Sequence, residues 1–166
     1  MHEKSIELLN RAVGDELAAV HQYMYFHFHL DDQGYDILSE LFRRTAIQEM
    51  GHVEVLAERI LFLKGDVIMR AAEETKLVHD VAEMLKMARQ MEESSARDYN
   101  LWANECSQNA DSVTKKIFEQ LVVDEETHYG QYDNELDKVN QFGERYLVLQ
   151  SIDRSKSQIS GGGASE

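Results

Sequence analysis

The chain has 166 residues, of which 43% are hydrophobic, no Pro, and a net charge of −14. That suits one compact domain with its own core and argues against a nucleic-acid-binding surface. Cys106 is the only cysteine, which excludes an intrachain disulfide and leads us to expect a reducing cytosol.

The polar start, Met1-His2-Glu3-Lys4, does not read as a signal peptide, and no apolar run approaches the ~18 residues of a membrane span. The acidity itself has two readings: simple solubility, or carboxylates facing a compartment that gathers cations.

Five helices are predicted. The first covers about Ser5 to Leu30, with Ile6, Leu9, Val13, Leu17, Val20, Met24 and Phe28 at steps of three and four. After a turn at residues 30–36, the second runs from Asp36, a candidate N-cap, to Lys64 and stops at Gly65. The third covers Asp80 to Cys106. The fourth runs from Asp111 to Gln141, after a turn at 107–111. A short fifth covers Glu144 to Arg154, and a Ser/Gly-rich flexible tail is expected over 157–166.

Short turns make helices one and two antiparallel, and likewise three and four. The link from Gly65 to His79 has 15 residues and reaches ~50 Å when extended. A helix of this class is ~42 Å long. The link can therefore run the whole length of the bundle, which predicts an all-α, ferritin-like four-helix bundle with one long crossover plus a short fifth helix. The predicted domain spans 1–156.

Glu49-Met50-Gly51-His52 and Glu125-Glu126-Thr127-His128 each place a Glu three residues before a His. Each also has a Glu 33 residues upstream, Glu16 and Glu92. On a helix, residues three apart share a face. Leu56 and Leu121 lie on the same faces, so these carboxylates look inward. Four buried carboxylates are costly as free ions, and two divalent cations would balance them. Oxygen and imidazole donors suit Fe(II), Mn(II) or Zn(II). A lone Glu-x-x-His is ordinarily an exposed polar pair. The doubled pattern at equal spacing predicts a dinuclear site made of Glu16, Glu49, His52, Glu92, Glu125 and His128.

Tyr23 lies seven residues after Glu16, and Tyr99 seven after Glu92, so each shares its Glu's face. Tyr23 reads either as a neighbour of the metals, supplying an electron or a hydrogen bond, or as a core tyrosine with a satisfied hydroxyl. Tyr99 reads as a core tyrosine. His21, His27, His29 and His79 read as surface or channel residues, Cys106 as structural, and Trp102 as core or interface. Met50 points away from its inward neighbours, as an interface methionine filling an apolar gap would.

Together, residues 16–23 (Glu16 to Tyr23), Glu49-Met50-Gly51-His52, residues 57–63 and Asp124 to His128 resemble bacterioferritin, from about residue 3 to about residue 155. The resemblance implies that Glu16 and Glu92 are terminal ligands, Glu49 and Glu125 bridging ones, and His52 and His128 the nitrogen ligands. It implies a ferroxidase that oxidises Fe(II) with dioxygen or hydrogen peroxide and stores the mineral in a hollow homo-oligomeric shell of 24 subunits built from dimers. It also implies that Met50 from two subunits ligates one haem at the two-fold interface, and that a ferredoxin is a candidate electron donor.

Two positions depart from the family pattern. Arg44 and Gln48 stand where a His and an Asp often face the cavity, which weakens the case for an extra iron site on the inner wall. Rival readings are a rubrerythrin-like peroxidase, a helical assembly protein holding Zn(II) or nothing, and a twelve-subunit cage.

Overall fold

In the computed structural model, which describes residues 2–161, the chain folds into α1 (Glu3–Asp32), α2 (Asp36–Phe62), α3 (Val81–Gln108), α4 (Ser112–Phe142) and α5 (Glu144–Gly161). The first four form the bundle. Contacts fix its directions. Residues 16 and 27 of α1 meet residues 52 and 39 of α2. Residues 59, 52 and 48 of α2 meet 111, 124 and 128 of α4. Arg89 and Glu92 of α3 meet Asp133 and His128 of α4 at 2.8 and 3.7 Å. Each of these pairs is antiparallel.

The crossover lies along α1. Asn10 holds Asp66 O and Ile68 N at 2.9 and 2.8 Å, Ala72 N donates to Gly14 O at 2.8 Å, and Gln22 holds both the N and the O of Lys76. The long link therefore satisfies its backbone on one helix face instead of forming structure of its own.

Helix ends follow local chemistry. Asp80 and Asp111 cap α3 and α4 by accepting from Glu83 N and Thr114 N. Asp36, expected to be a cap, is instead the first residue of α2, after Tyr35; its charge there suits the helix N-terminus, and Arg154 of α5 lies 3.3 Å away.

α2 stops at Phe62, two residues before the expected Lys64. Gly65 N donates to Ile60 O and Lys64 N to Leu61 O, and Lys64 takes the left-handed conformation at φ 64°. Gly65 is needed for space rather than for its φ: a Cβ there would stand 2.7 Å from Ile6 Cγ2.

α5 runs past the expected Arg154 to Gly161. Ser157 and Ser160 donate back to Asp153 O and Lys156 O, and the first tail glycine is Gly161 itself. The first five residues of the expected flexible tail are thus helical, and 162–166 lie outside the described residues. α5 docks on the start of α2, where Leu38 N donates to Gln150 at 3.4 Å.

Two apolar clusters fill the bundle. One is built on Leu9, Val13, Leu56, Tyr99, Trp102 and Phe118. The other is built on Tyr23, Phe26, Phe42, Met84, Tyr132 and Leu136. Phe28, placed on the inward stripe by its spacing, is 61% exposed, and Phe26 is buried in its stead. At ~100° per residue Phe28 stands about 140° from Tyr23, so a stripe of apolar residues that slowly winds off the face ends in solvent. No helix among the described residues is long and apolar enough to cross a membrane.

Candidate dinuclear metal centre

Between the two apolar clusters lie Glu16, Glu49, His52, Glu92, Glu125 and His128, each at most 8% exposed. Their donor atoms form two overlapping groups: Glu16, Glu49, His52 and Glu125, and Glu49, Glu92, Glu125 and His128. Within each group one atom from every residue lies within 4.8 Å of the others. Glu49 and Glu125 belong to both groups. All six residues singled out by spacing meet, because α1, α2, α3 and α4 each bring one level of the bundle to the same height.

Both imidazoles turn Nδ1 inward. His52 Nδ1 stands 2.8 Å from Glu49, 3.3 Å from Glu125 and 3.4 Å from Glu16. His128 Nδ1 stands 3.0 Å from Glu49, 3.7 Å from Glu92 and 3.9 Å from Glu125. The two rings lie 6.0 Å apart.

The outer nitrogens are held from behind. His52 Nε2 lies 3.4 Å from Asp124 Oδ2 and His128 Nε2 lies 3.1 Å from Gln48 Oε1. Each holder is the residue just before an inward Glu of the opposite helix, Asp124 before Glu125 and Gln48 before Glu49. Spacing alone does not point to either role: Gln48 reads in the sequence only as a departure on the cavity wall, and the sole signal is its position one residue from an inward Glu.

Tyrosines hold the two outer carboxylates crosswise. Tyr23 donates to Glu92 Oε1 at 2.5 Å, and Tyr99 donates to Glu16. Tyr99 is the core tyrosine expected, buried with its hydroxyl satisfied, and its partner is one of the six clustered residues. Each tyrosine bonds the Glu of the other helix, although it shares a face with the Glu of its own. α1 and α3 run antiparallel, so a seven-residue step along one returns to the level of the other's Glu.

Burial dominates the electrostatics. It pushes Glu16 and Glu92 well above the usual carboxylate range, with repulsion from Glu125 and Glu49 adding to it. Burial opposes charge on His128, but Glu125, Glu49 and Glu92 outweigh it and push the imidazole up to about 12. His52 is raised in the same way by Glu125, Glu16 and Glu49. Glu125, despite its burial, is held at about 2 by Glu92 and the two imidazoles.

The cluster is nevertheless not self-sufficient. Both Glu49 oxygens, Glu125 Oε1 and His128 Nδ1 are buried, and although the imidazole Nδ1 atoms stand 2.8 and 3.0 Å from Glu49, none of these four atoms makes a well-directed hydrogen bond. Such atoms are expensive unless something coordinates them. A donor set of four carboxylates and two Nδ1 lone pairs in two overlapping groups fits two divalent cations that share Glu49 and Glu125.

Met50 stands apart. It is 37% exposed on the outer face of α2, beside Ile47 at 55%, while Glu49 and His52 are buried. His21, His27, His29 and His79 lie outside the cluster. His27 bonds Ser39, and His29 packs on Tyr25 and His79. Cys106 is buried beside Ser5, and Trp102 is buried with Arg11 over its ring.

Comparison with known proteins agrees with this arrangement. A ferritin-like domain model matches residues 6–142. The bacterioferritin of Desulfovibrio desulfuricans is 33% identical over 145 residues, 87% of this chain and 81% of that one. That of Brucella melitensis is also 33% identical, over 93% of this chain and 97% of its own. That of Streptomyces coelicolor is 29% identical, with 96% and 95% covered. The X-ray structure of the Desulfovibrio desulfuricans bacterioferritin, described with its diiron site in different catalytic states, superposes with a TM-score of 0.87 at 32% identity, covering 89% of this chain and 86% of that one.

Proposed function

This chain belongs to the bacterioferritins, within the ferritin-like family, and we propose that it oxidises Fe(II) at the dinuclear centre and stores the Fe(III) product within a shell of its own copies. The observation that carries this reading is the buried Glu49 carboxylate, shared by both donor groups and without a well-directed hydrogen bond.

Fe(II) is the substrate, two ions per chain. A pair of irons held together can pass two electrons to dioxygen or peroxide, and the chemistry is theirs. The residues supply the rest. Glu49 and Glu125 occupy the bridging positions, Glu16 with His52 one terminal set, and Glu92 with His128 the other. Asp124 and Gln48 accept from the outer imidazole nitrogens, which leaves each Nδ1 lone pair free to ligate. Tyr23 and Tyr99 fix the rotamers of Glu92 and Glu16, and Tyr23 is placed to give up or return a proton at its hydroxyl. The apolar clusters wall the pair along the bundle axis. Four carboxylates against two divalent cations leave the pocket neutral, the condition under which burying them stops being costly.

The shell is a 24-mer assembled from dimers, in the cytosol. Its dimer face includes the exposed Met50, whose thioether would hold a haem shared with the partner, with Ile47 beside it as apolar wall. Such a haem would supply one-electron chemistry for the release of stored iron, with a ferredoxin-type protein as the donor.

The test is an anaerobic Fe(II) titration of the purified protein together with its visible spectrum. Saturation near two irons per chain, rapid oxidation on admitting oxygen or peroxide, and a porphyrin band are expected. Peroxide consumption with no accumulation of mineral would instead identify a peroxidase.

A further inference from the structure

The two donor groups are alike in front of the imidazoles and unlike behind them. Each group has one outer Glu, one imidazole and a share of Glu49 and Glu125. Behind His52 stands a carboxylate, with Asp124 Oδ2 at 3.4 Å from Nε2. Behind His128 stands a neutral amide, with Gln48 Oε1 at 3.1 Å from Nε2.

Asp124 is itself held. Gln120, one turn earlier on α4, donates from Nε2 to Asp124 Oδ1 at 3.1 Å, so Oδ2 is left to face His52. Gln48 is exposed and makes no other side-chain hydrogen bond among the described residues.

Carboxylate and amide act differently on an imidazole. A ligating imidazole here is neutral, with its one proton on Nε2 and its lone pair on Nδ1. A carboxylate only accepts, so Asp124 favours that tautomer of His52, and its negative charge makes the ring a stronger donor to a cation. An amide carries both C=O and NH2. Turned over, Gln48 would donate to Nε2 and leave the His128 proton on Nδ1, where it blocks a cation. In the orientation seen it accepts, but lends the ring no charge.

Resting on the dinuclear reading above, we infer that the two cation positions are unequal. The position of Glu16 and His52, backed by Asp124, fills first and keeps its ion. The position of Glu92 and His128, backed by Gln48, fills second and releases its ion more readily. Glu49 and Glu125 serve both positions and cannot supply the difference. Glu16 and Glu92 are matched, each receiving one tyrosine hydroxyl. The contrast lies in Asp124 and Gln48, which act as positioning residues through the imidazoles. Exchange of ions is then confined to the Gln48 side, beside an ion that stays.

Co(II), which needs no oxidant and reports its site by visible absorption, tests this on the intact assembly. Titration should show two steps of one ion per chain, with dissociation constants about tenfold or more apart. The isosteric exchange Gln48→Glu should tighten the second step about tenfold or more and leave the first in place. Asp124→Asn should weaken the first step by a similar factor and leave the second. Both variants keep side-chain volume, and a total of two ions per chain reports an intact fold. Charge acting through space alone would move both steps together, because the two positions share Glu49 and Glu125. Equal movement of both steps, an unmoved second step in Gln48→Glu, an unmoved first step in Asp124→Asn, or a single step in the parent overturns the inequality and leaves the metal centre standing. Failure of the parent protein to take up cobalt overturns both.

Discussion

Tyr23 on α1 donates its phenolic hydrogen to Glu92 on α3, and Tyr99 returns the bond to Glu16 on α1. The pair ties two helices that are not sequence neighbours and orients the Glu92 and Glu16 carboxyls. Both tyrosines are fully buried, so removing either hydroxyl strips a hydrogen bond from a buried carboxyl.

Tyr23→Phe and Tyr99→Phe should each destabilise the metal-free protein by about 1–3 kcal/mol and weaken Zn(II) binding. Thermal melts and competition titrations measure both effects. The informative result is parity: if Tyr99→Phe is silent while Tyr23→Phe is not, the crosswise arrangement does not set both carboxylates.

Glu49→Ala removes the carboxylate common to both donor groups, and Met50→Leu removes the exposed thioether. The first should abolish rapid Fe(II) oxidation and leave the porphyrin band. The second should remove that band and leave oxidation. Stopped-flow absorbance and the visible spectrum read the two separately, and a swapped outcome would reverse the assignments.

Metal binding must displace protons. His128 and His52 have raised pKa values in the fold and are charged at neutral pH. A raised imidazole stabilises the fold fully below its ordinary 6.5, and that contribution fades as pH climbs toward about 12 for His128. Glu16 and Glu92, raised by burial, also disfavour the fold above their ordinary 4.5. Glu125, held at about 2, contributes stability above its ordinary 4.5 that is lost as pH falls through about 2, and so is constant over the neutral range. Metal-free stability should therefore fall from pH 6.5 to 9, and the gain on adding Zn(II) should grow over the same interval as proton competition eases. Melting curves with and without Zn(II) check this; a gain that shrinks with pH would contradict it.

Two helix stops give opposite outcomes for small substitutions. Ala110 ends α3 at φ 55°, a conformation that costs an L-residue about 1 kcal/mol. Ala110→Gly should stabilise by about 0.5–1 kcal/mol. Gly65→Ala should cost about 1–3 kcal/mol, because the new methyl meets Ile6. Urea midpoints distinguish the two, and a stabilising Gly65→Ala would mean that Ile6 moves freely.

Periodicity and loop length were enough to read four long helices, the crossover and the six carboxylate and imidazole residues that meet between them. Those features rest on local geometry: residues three or four apart share a helix face, and equal spacing in two hairpins puts equal residues at equal heights. Boundaries were less legible. Lys64, rather than Gly65, takes the left-handed turn, because the space beside Ile6, and not backbone freedom, is what demands a glycine there.

What lay beyond the sequence concerns partners on other helices. That Tyr23 serves Glu92 and that Gln48 and Asp124 hold the imidazoles both depend on helix direction. Spacing along one chain sets which face a side chain shares. Only packing decides which foreign group that face meets, since the choice depends on distances between helices that no local rule encodes.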